Sequence, residues 1–280
     1  MKFEIKLENI PYAFMESVFS GLKHYLVPML GQSETPSGPN LEHFGSGTLI
    51  QVGPTPGILT AAHVWHKAKT YKQIHIVLTD RGATGFSILP SDFAPRQVWG
   101  GKKNQWGPDL AFLKLSPEDY STLSASKSFL NFTKQKAELA DNSPETAKRL
   151  WVIMGLVAEF STVDPKPKEG KVSSRPVCRG MFSTIHNTHE RNGHDYFDAG
   201  VNQGLEGVPT TFGGVSGGGL WQVDLSKNKD GEFYWNEKPY LRGVAFWETE
   251  PVNGRRVVRC HGPKSIFETA WKEWGFPENV

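Results

Sequence analysis

Over residues 12–30, Phe14, Val18, Leu22, Tyr25 and Leu26 recur at spacings of three and four. That period lays one apolar stripe of a helix against a core, and Gly31 is the expected stop. The polar stretch 32–40, with two prolines and a glycine, reads as a linker. Beyond it the pattern shortens. Residues 48–52, 74–78 and 110–115 are apolar runs of strand length bounded by Gly, Pro or Asp. The polar region 116–148 reads as a partly helical crossing. Strand-like runs return at 150–154, 219–223 and 241–247, and Lys229-Asp230-Gly231 marks a turn between strands. Residues 266–274 read as a short amphipathic helix. The expected organisation is therefore all-β. A helical extension and linker cover 1–40, a first β unit 41–123, a connection 124–147, and a second β unit with a terminal helix 148–280.

Composition sharpens this picture at a few points. A chain of 280 residues exceeds the usual single-domain size, which favours two packed units or one large all-β unit. The 29 glycines and 19 prolines suit many short strands joined by turns. A net charge of only +2, with no dense Lys/Arg tract, gives no footprint for nucleic acid or an anionic membrane surface. The first six residues carry spread charges and resemble no secretory signal, and no apolar run is long enough to span a bilayer. A cytoplasmic protein is the expectation. Cys178 and Cys260 fit one bridge or two free thiols equally well.

Three segments carry candidate chemistry. The first is Gly45-Ser46-Gly47-Thr48-Leu49-Ile50, followed by Leu59-Thr60-Ala61-Ala62-His63-Val64; the second is Pro108-Asp109-Leu110-Ala111-Phe112-Leu113; the third is Gly213-Gly214-Val215-Ser216-Gly217-Gly218-Gly219-Leu220. A serine hydroxyl needs a neighbouring imidazole to take its proton, and the imidazole needs a carboxylate to fix its tautomer. Glycines beside the serine let backbone N–H groups face a developing oxyanion. From about Phe44 to the end, the chain resembles the trypsin-like serine peptidases in their bacterial form, with motifs T-A-A-H, D-I/L-A-L and G-D/N-S-G-G in that order. The resemblance implies two antiparallel, six-stranded-type β-barrels of the chymotrypsin kind. It implies His63, Asp109 and Ser216 as a triad, Gly214 and Ser216 N–H as the oxyanion hole, and a protein or peptide substrate without a cofactor. Asp198, in Phe197-Asp198-Ala199-Gly200-Val201-Asn202, competes with Asp109 but matches a stretch that in the family is structural.

The family pattern is broken at two places. Val215 stands where secreted digestive members carry an aspartate that pairs with a new N-terminal amine. Thr210 occupies the position of the main pocket determinant, so trypsin-like selection of basic side chains is not expected. Ala245, Phe246 and Trp247 match the strand that pairs with an extended substrate. Glu248 and Glu250 are expected to be solvated, with a charge in the pocket as the other option. Arg259 and His261 fall where a far pocket wall would pass. The N-terminal helix is expected to dock on a barrel, the alternative being a regulatory partner.

Other classes offer competing interpretations. Gly214-Val215-Ser216-Gly217-Gly218 satisfies the G-x-S-x-G elbow of α/β-hydrolase esterases, with His261 as base and Glu250 as acid. Against this, the serine should then open a helix, yet Leu220-Trp221-Gln222-Val223 is strand-like. His186, His189 and His194, near Glu190 and Asp195, suggest zinc, but Asn192-Gly193 makes this segment a hairpin tip, and no metal is expected. A non-catalytic binding module on the same fold is the third alternative.

Overall fold

The computed structural model describes residues 10–36, 38–78, 85–100, 105–140, 148–166, 171–202, 207–250 and 255–277. The first helix, α1 (Tyr12–Lys23), buries Phe14, Val18 and Leu22 as its period predicts. It does not continue to Leu30. Leu26–Thr35 is a strand, β1, and its first six residues are buried. An apolar run buried on both faces carries no period of its own, and Pro28 within it cannot continue a helix. The expected linker is also replaced: β1 turns into β2 (Gly38–Val52) as an antiparallel hairpin with Thr35 opposite Gly38.

The first sheet adds β3 (Thr55–Thr60), β4 (Gln73–Val77), β5 (Gly85–Ile88), β6 (Ala94–Trp99) and β7 (Asp109–Lys114), in the order β5-β4-β1-β2-β3-β7-β6. A two-residue strand, β8 (Leu130–Asn131), joins β2 in parallel, making eight strands where six were expected. Helix α2 (Ala62–Ala68) follows β3. The crossing contains α3 (Pro117–Ser124) and α4 (Phe132–Ala140). Ser116 caps α3 by accepting the Asp119 N–H at 3.1 Å, with Pro117 at the first helical position.

In the second half, β9 (Lys148–Leu156) is followed by a separate hairpin of β10 (Thr162–Lys166) and β11 (Lys171–Arg175). The main sheet continues with β12 (Cys178–Arg191), β13 (His194–Asn202), β14 (Gly219–Lys227), β15 (Phe233–Tyr234), β16 (Tyr240–Glu248) and β17 (Arg255–His261). Its order is β15-β14-β16-β17-β13-β12-β9, and β9 also pairs with β14, so six strands close into a ring. The turn between β12 and β13 has positive φ at Asn192 (50°) and Gly193 (77°), the hairpin tip expected there. The chain then runs through a π-helical segment, Ser265–Ala270, into a short helix, α5 (Trp271–Glu273).

What fixes one sheet against the other is a shared core. One buried cluster draws Leu59, Val98, Leu110 and Phe112 from the first sheet and Val152, Met154, Trp221 and Val244 from the second. The C-terminal segment seals it, with Phe267 against Phe132 at 4.5 Å and Phe276 against Phe112 at 5.1 Å. The apolar face of α1 is covered by the same cluster, and Phe19 packs on Gly180 of β12. Neither cysteine is in a disulfide; Cys260 is buried, and burial together with the nearby Asp198 charge pushes its thiol pKa up. Among the described residues no helix is long and apolar enough to cross a membrane.

Candidate functional site

Antiparallel pairing of β3 and β7 sets Thr60 opposite Ala111. The residues just past Thr60 therefore lie beside Asp109, the first residue of β7. Ala61 and Ala62 are fully buried, and their small side chains let α2 begin directly against the sheet. His63 thus sits in the first turn of α2, above a carboxylate that is 3% exposed. Its Nδ1 is 2.6 Å from Asp109 Oδ2, and its backbone N–H donates to Oδ1 at 2.8 Å. Both carboxylate oxygens are engaged by one residue. With Nδ1–H donating to the carboxylate, Nε2 carries the free lone pair, which is the arrangement a general base requires.

Ser216 lies in the turn before β14 and is half-buried. Ser46 of β2 holds that turn from the first sheet. Its N–H donates to Ser216 O at 2.8 Å, and its Oγ donates to Gly214 O at 2.7 Å while accepting the Leu156 N–H at 2.8 Å. Gly217 has φ +85°, and a Cβ there would lie 2.0 Å from Ser46 O and 2.1 Å from Thr60 Oγ1. Contact with Thr60, three residues before His63, brings the serine turn to the end of β3, where α2 starts. Ser216 Oγ makes no hydrogen bond with His63 among the described residues.

The peptide planes of this turn are held from one side. Gly213 O accepts the Ala158 N–H and Val215 O accepts the Gly218 N–H, both at 2.8 Å. In a trans peptide the C=O and the following N–H point in opposite directions. The N–H groups of Gly214 and Ser216 are thereby directed away from those partners, and neither donates a hydrogen bond among the described residues. Gly214 needs φ +88°, and a side chain there would begin 3.0 Å from Leu156 O.

Around this turn, two acids play parts that local spacing did not reveal. Thr210 is exposed, and its N–H and Oγ donate to Glu159 Oε2 at 2.9 and 2.8 Å; the Thr211 N–H adds a third bond at 2.9 Å. The Thr211 N–H and the Thr210 hydroxyl hold the Glu159 pKa below the usual carboxylate value. Glu248, expected to be solvated, instead accepts the Phe212 N–H at 3.1 Å through Oε2 and pairs with Arg256 through Oε1. Glu250 is exposed. Ala245 donates to Gly218 O and accepts from Gly217 N–H, so its main chain supports the serine turn and is closed to a substrate strand. The Phe246 side chain is buried, whereas Trp247 is partly exposed. Pairing of β16 with β14 ends at Val244, which leaves residues 246–248 without a strand partner on that side among the described residues.

The competing side chains are occupied elsewhere. Asp198 accepts Arg259 Nε at 2.7 Å and Nη2 at 3.0 Å, and its Oδ2 is 2.8 Å from His189 Nε2. Burial alone would raise its pKa, but the bonds from Arg259 and His189 outweigh that and lower it. His186 packs on Gly200, and His194 is buried beside His261, so the three histidines of the hairpin do not converge. Among the described residues no group of three or more His, Cys, Asp or Glu could hold a metal ion. Ser216 leads into β14, with no helix opening there. His261, the base of the esterase alternative, is fully buried and accepts the Asp109 N–H at 3.0 Å. The chain matches no protein-family model and no curated protein.

Proposed function

We propose that this chain is a serine endopeptidase of the trypsin-like kind, built on two antiparallel β-barrels with the reacting groups where they meet. One observation carries the proposal: Asp109 holds His63 through both carboxylate oxygens, at the junction where a glycine-rich turn presents Ser216 and two undonated N–H groups. Ser216 Oγ attacks the peptide carbonyl carbon as His63 Nε2 takes its proton, and Asp109 stabilises the imidazolium. The tetrahedral oxyanion accepts from Gly214 and Ser216 N–H; removing one such donor typically lowers turnover about 10²–10³-fold. The C–N bond then breaks, His63 delivers the proton to the leaving amine, and an ester to Ser216 remains. Water, deprotonated by His63, hydrolyses that ester. The substrate backbone pairs with residues 246–248 by strand addition. Thr210 itself carries no charge, which argues against trypsin-like selection of basic side chains, and the Glu159 carboxylate beside it is already engaged by the N–H and hydroxyl groups of Thr210 and Thr211.

The test is labelling by a fluorophosphonate probe, which phosphonylates an activated serine. Wild type labels, Ser216→Ala does not, and Asp109→Asn labels far more slowly. Labelling that survives Ser216→Ala rejects the assignment. A folded wild type that never labels favours a binding module.

A further inference from the structure

His261 takes no part in the chemistry above, yet among the described residues it is the only side chain that bonds the backbone N–H of Asp109. It is fully buried on β17, stacked on Phe246 at 4.4 Å with 29° between planes, and lies 5.1 Å from the Tyr196 ring. Among the described residues its Nδ1 finds no partner, so there the ring's one hydrogen bond is the one to Asp109. Accepting an N–H requires Nε2 to be unprotonated, which puts the ring proton on Nδ1. Burial, with His194 adding to it, lowers the His261 pKa well below the ordinary imidazole value and keeps the ring neutral.

The neighbouring contacts act on the same stretch of chain. Arg259, two residues earlier and on the same side of β17, donates to Gln105 O at 2.9 Å, and its guanidinium lies 3.9 Å from the Trp106 ring centre. Gly107 packs so closely that a Cβ there would be 2.9 Å from His261 Nε2. The segment leading into Asp109 runs into β7 of the first sheet, but it is held by two side chains of the second. The second sheet also carries Ser216.

We propose that His261 is a positioning residue for Asp109. By accepting the Asp109 N–H it ties the start of β7 to the sheet that carries Ser216, and so sets where the carboxylate meets His63. The inference rests on the peptidase reading only for its effect on rate. Without an acceptor the buried N–H would pull the segment toward another partner, and a displacement of about 1 Å at a catalytic group can cost on the order of 100-fold.

Two variants and one measurement on the wild type test it. His261→Phe keeps the stacking on Phe246 but removes the acceptor; His261→Gln supplies a carbonyl oxygen that can accept the same N–H. The low-field proton resonance of His63 Nδ1–H should be lost or shifted in His261→Phe and retained in His261→Gln. Fluorophosphonate labelling of Ser216 should slow on the order of 10- to 100-fold in the first and stay within a few-fold of wild type in the second. A His261→Phe protein with an unchanged resonance and labelling rate overturns the proposal. Should that variant not fold, ¹⁵N shifts of the wild type decide: Nε2 unprotonated supports it, Nε2 protonated overturns it. A wild type that never labels, but whose His63 resonance responds as described, counts against the peptidase reading alone.

Discussion

Ser46→Ala removes a single oxygen at the point where the two sheets and the serine turn meet. Ser46 is fully buried, and its Oγ both accepts the Leu156 N–H at 2.8 Å and donates to Gly214 O at 2.7 Å. Alanine fits the space but meets neither partner. Leu156 is itself fully buried, so its N–H is left with no acceptor at a cost of about 1–3 kcal/mol. Gly214 is only half-buried, and its carbonyl regains part of its hydration, adding roughly 0.5–1.5 kcal/mol. The expected total is about 1.5–4.5 kcal/mol, or a fall in Tm of roughly 3–8 °C at an unfolding entropy of about 2.1 cal/mol/K per residue. Urea unfolding should show a lower midpoint at an unchanged slope, with the exposed Ser91→Ala as a control within about 0.5 kcal/mol of wild type. Labelling by the fluorophosphonate should slow as well, because the peptide plane after Gly214 has lost its anchor. A Ser46→Ala protein with wild-type stability and labelling rate would refute this account of how the turn is held.

Three further outcomes follow from other contacts. Gly217→Ala should abolish labelling and destabilise by at least about 3 kcal/mol, since its Cβ would meet the backbone oxygen of Ser46 at 2.0 Å; wild-type behaviour would contradict the geometry. Asp198 has a folded pKa below its unfolded value, so the stability it contributes is complete above about pH 4 and is lost as pH falls through the folded value. The stability difference between wild type and Asp198→Asn should therefore shrink on acidification below about pH 4, and a difference constant between neutral pH and pH 3 would count against it. Cys260, buried and held as a thiol, should resist iodoacetamide at neutral pH in the native protein and react after unfolding; rapid native alkylation would reject its burial.

The strands were legible where an apolar run was short and bounded by residues that stop it. Residues 48–52 and 219–223 fall inside β2 and β14, and all but the last residue of 74–78 falls inside β4. The reading failed where spacing imitated a helix. Tyr25 and Leu26 continue the stripe of α1, although the helix has already ended at Lys23. Pro28 was the available signal, because a proline at the fourth position of the apolar run 25–30 disfavours a helix there. In the candidate site, His63, Asp109 and Ser216 stood out because each closes or opens a strand beside small residues. The roles of Ser46, Glu159 and His261 did not, His261 reading only as a pocket wall or an esterase base. Each acts on a residue 51 to 168 positions away, and nothing in its own neighbourhood marks a partner at that distance.

The same long-range contacts explain how the serine turn keeps its shape with valine at position 215. No carboxylate is present there to receive an amine. Val215 is instead 1% exposed among Ile153, Val157, Phe212 and Leu220, and Gly155 makes room for it, since a Cβ on that glycine would lie 3.0 Å from Val215 Cα. Every residue approaching Ser216 has its own fastening. Thr210 and Thr211 are held by Glu159, Phe212 by Glu248, Gly213 by Ala158, and Gly214 by Ser46. Past the serine, Gly217 and Gly218 are held by Ala245. Burying an isopropyl group stabilises by roughly 1.5–3 kcal/mol and depends on no charge, whereas an amine–carboxylate pair would first have to be created. The turn is thus assembled from neutral packing at its centre and hydrogen bonds along both arms. Its weakest links are the exposed bonds to Glu159, so loosening of this turn should start at Thr210 and Thr211, before the buried anchor at Ser46 gives way.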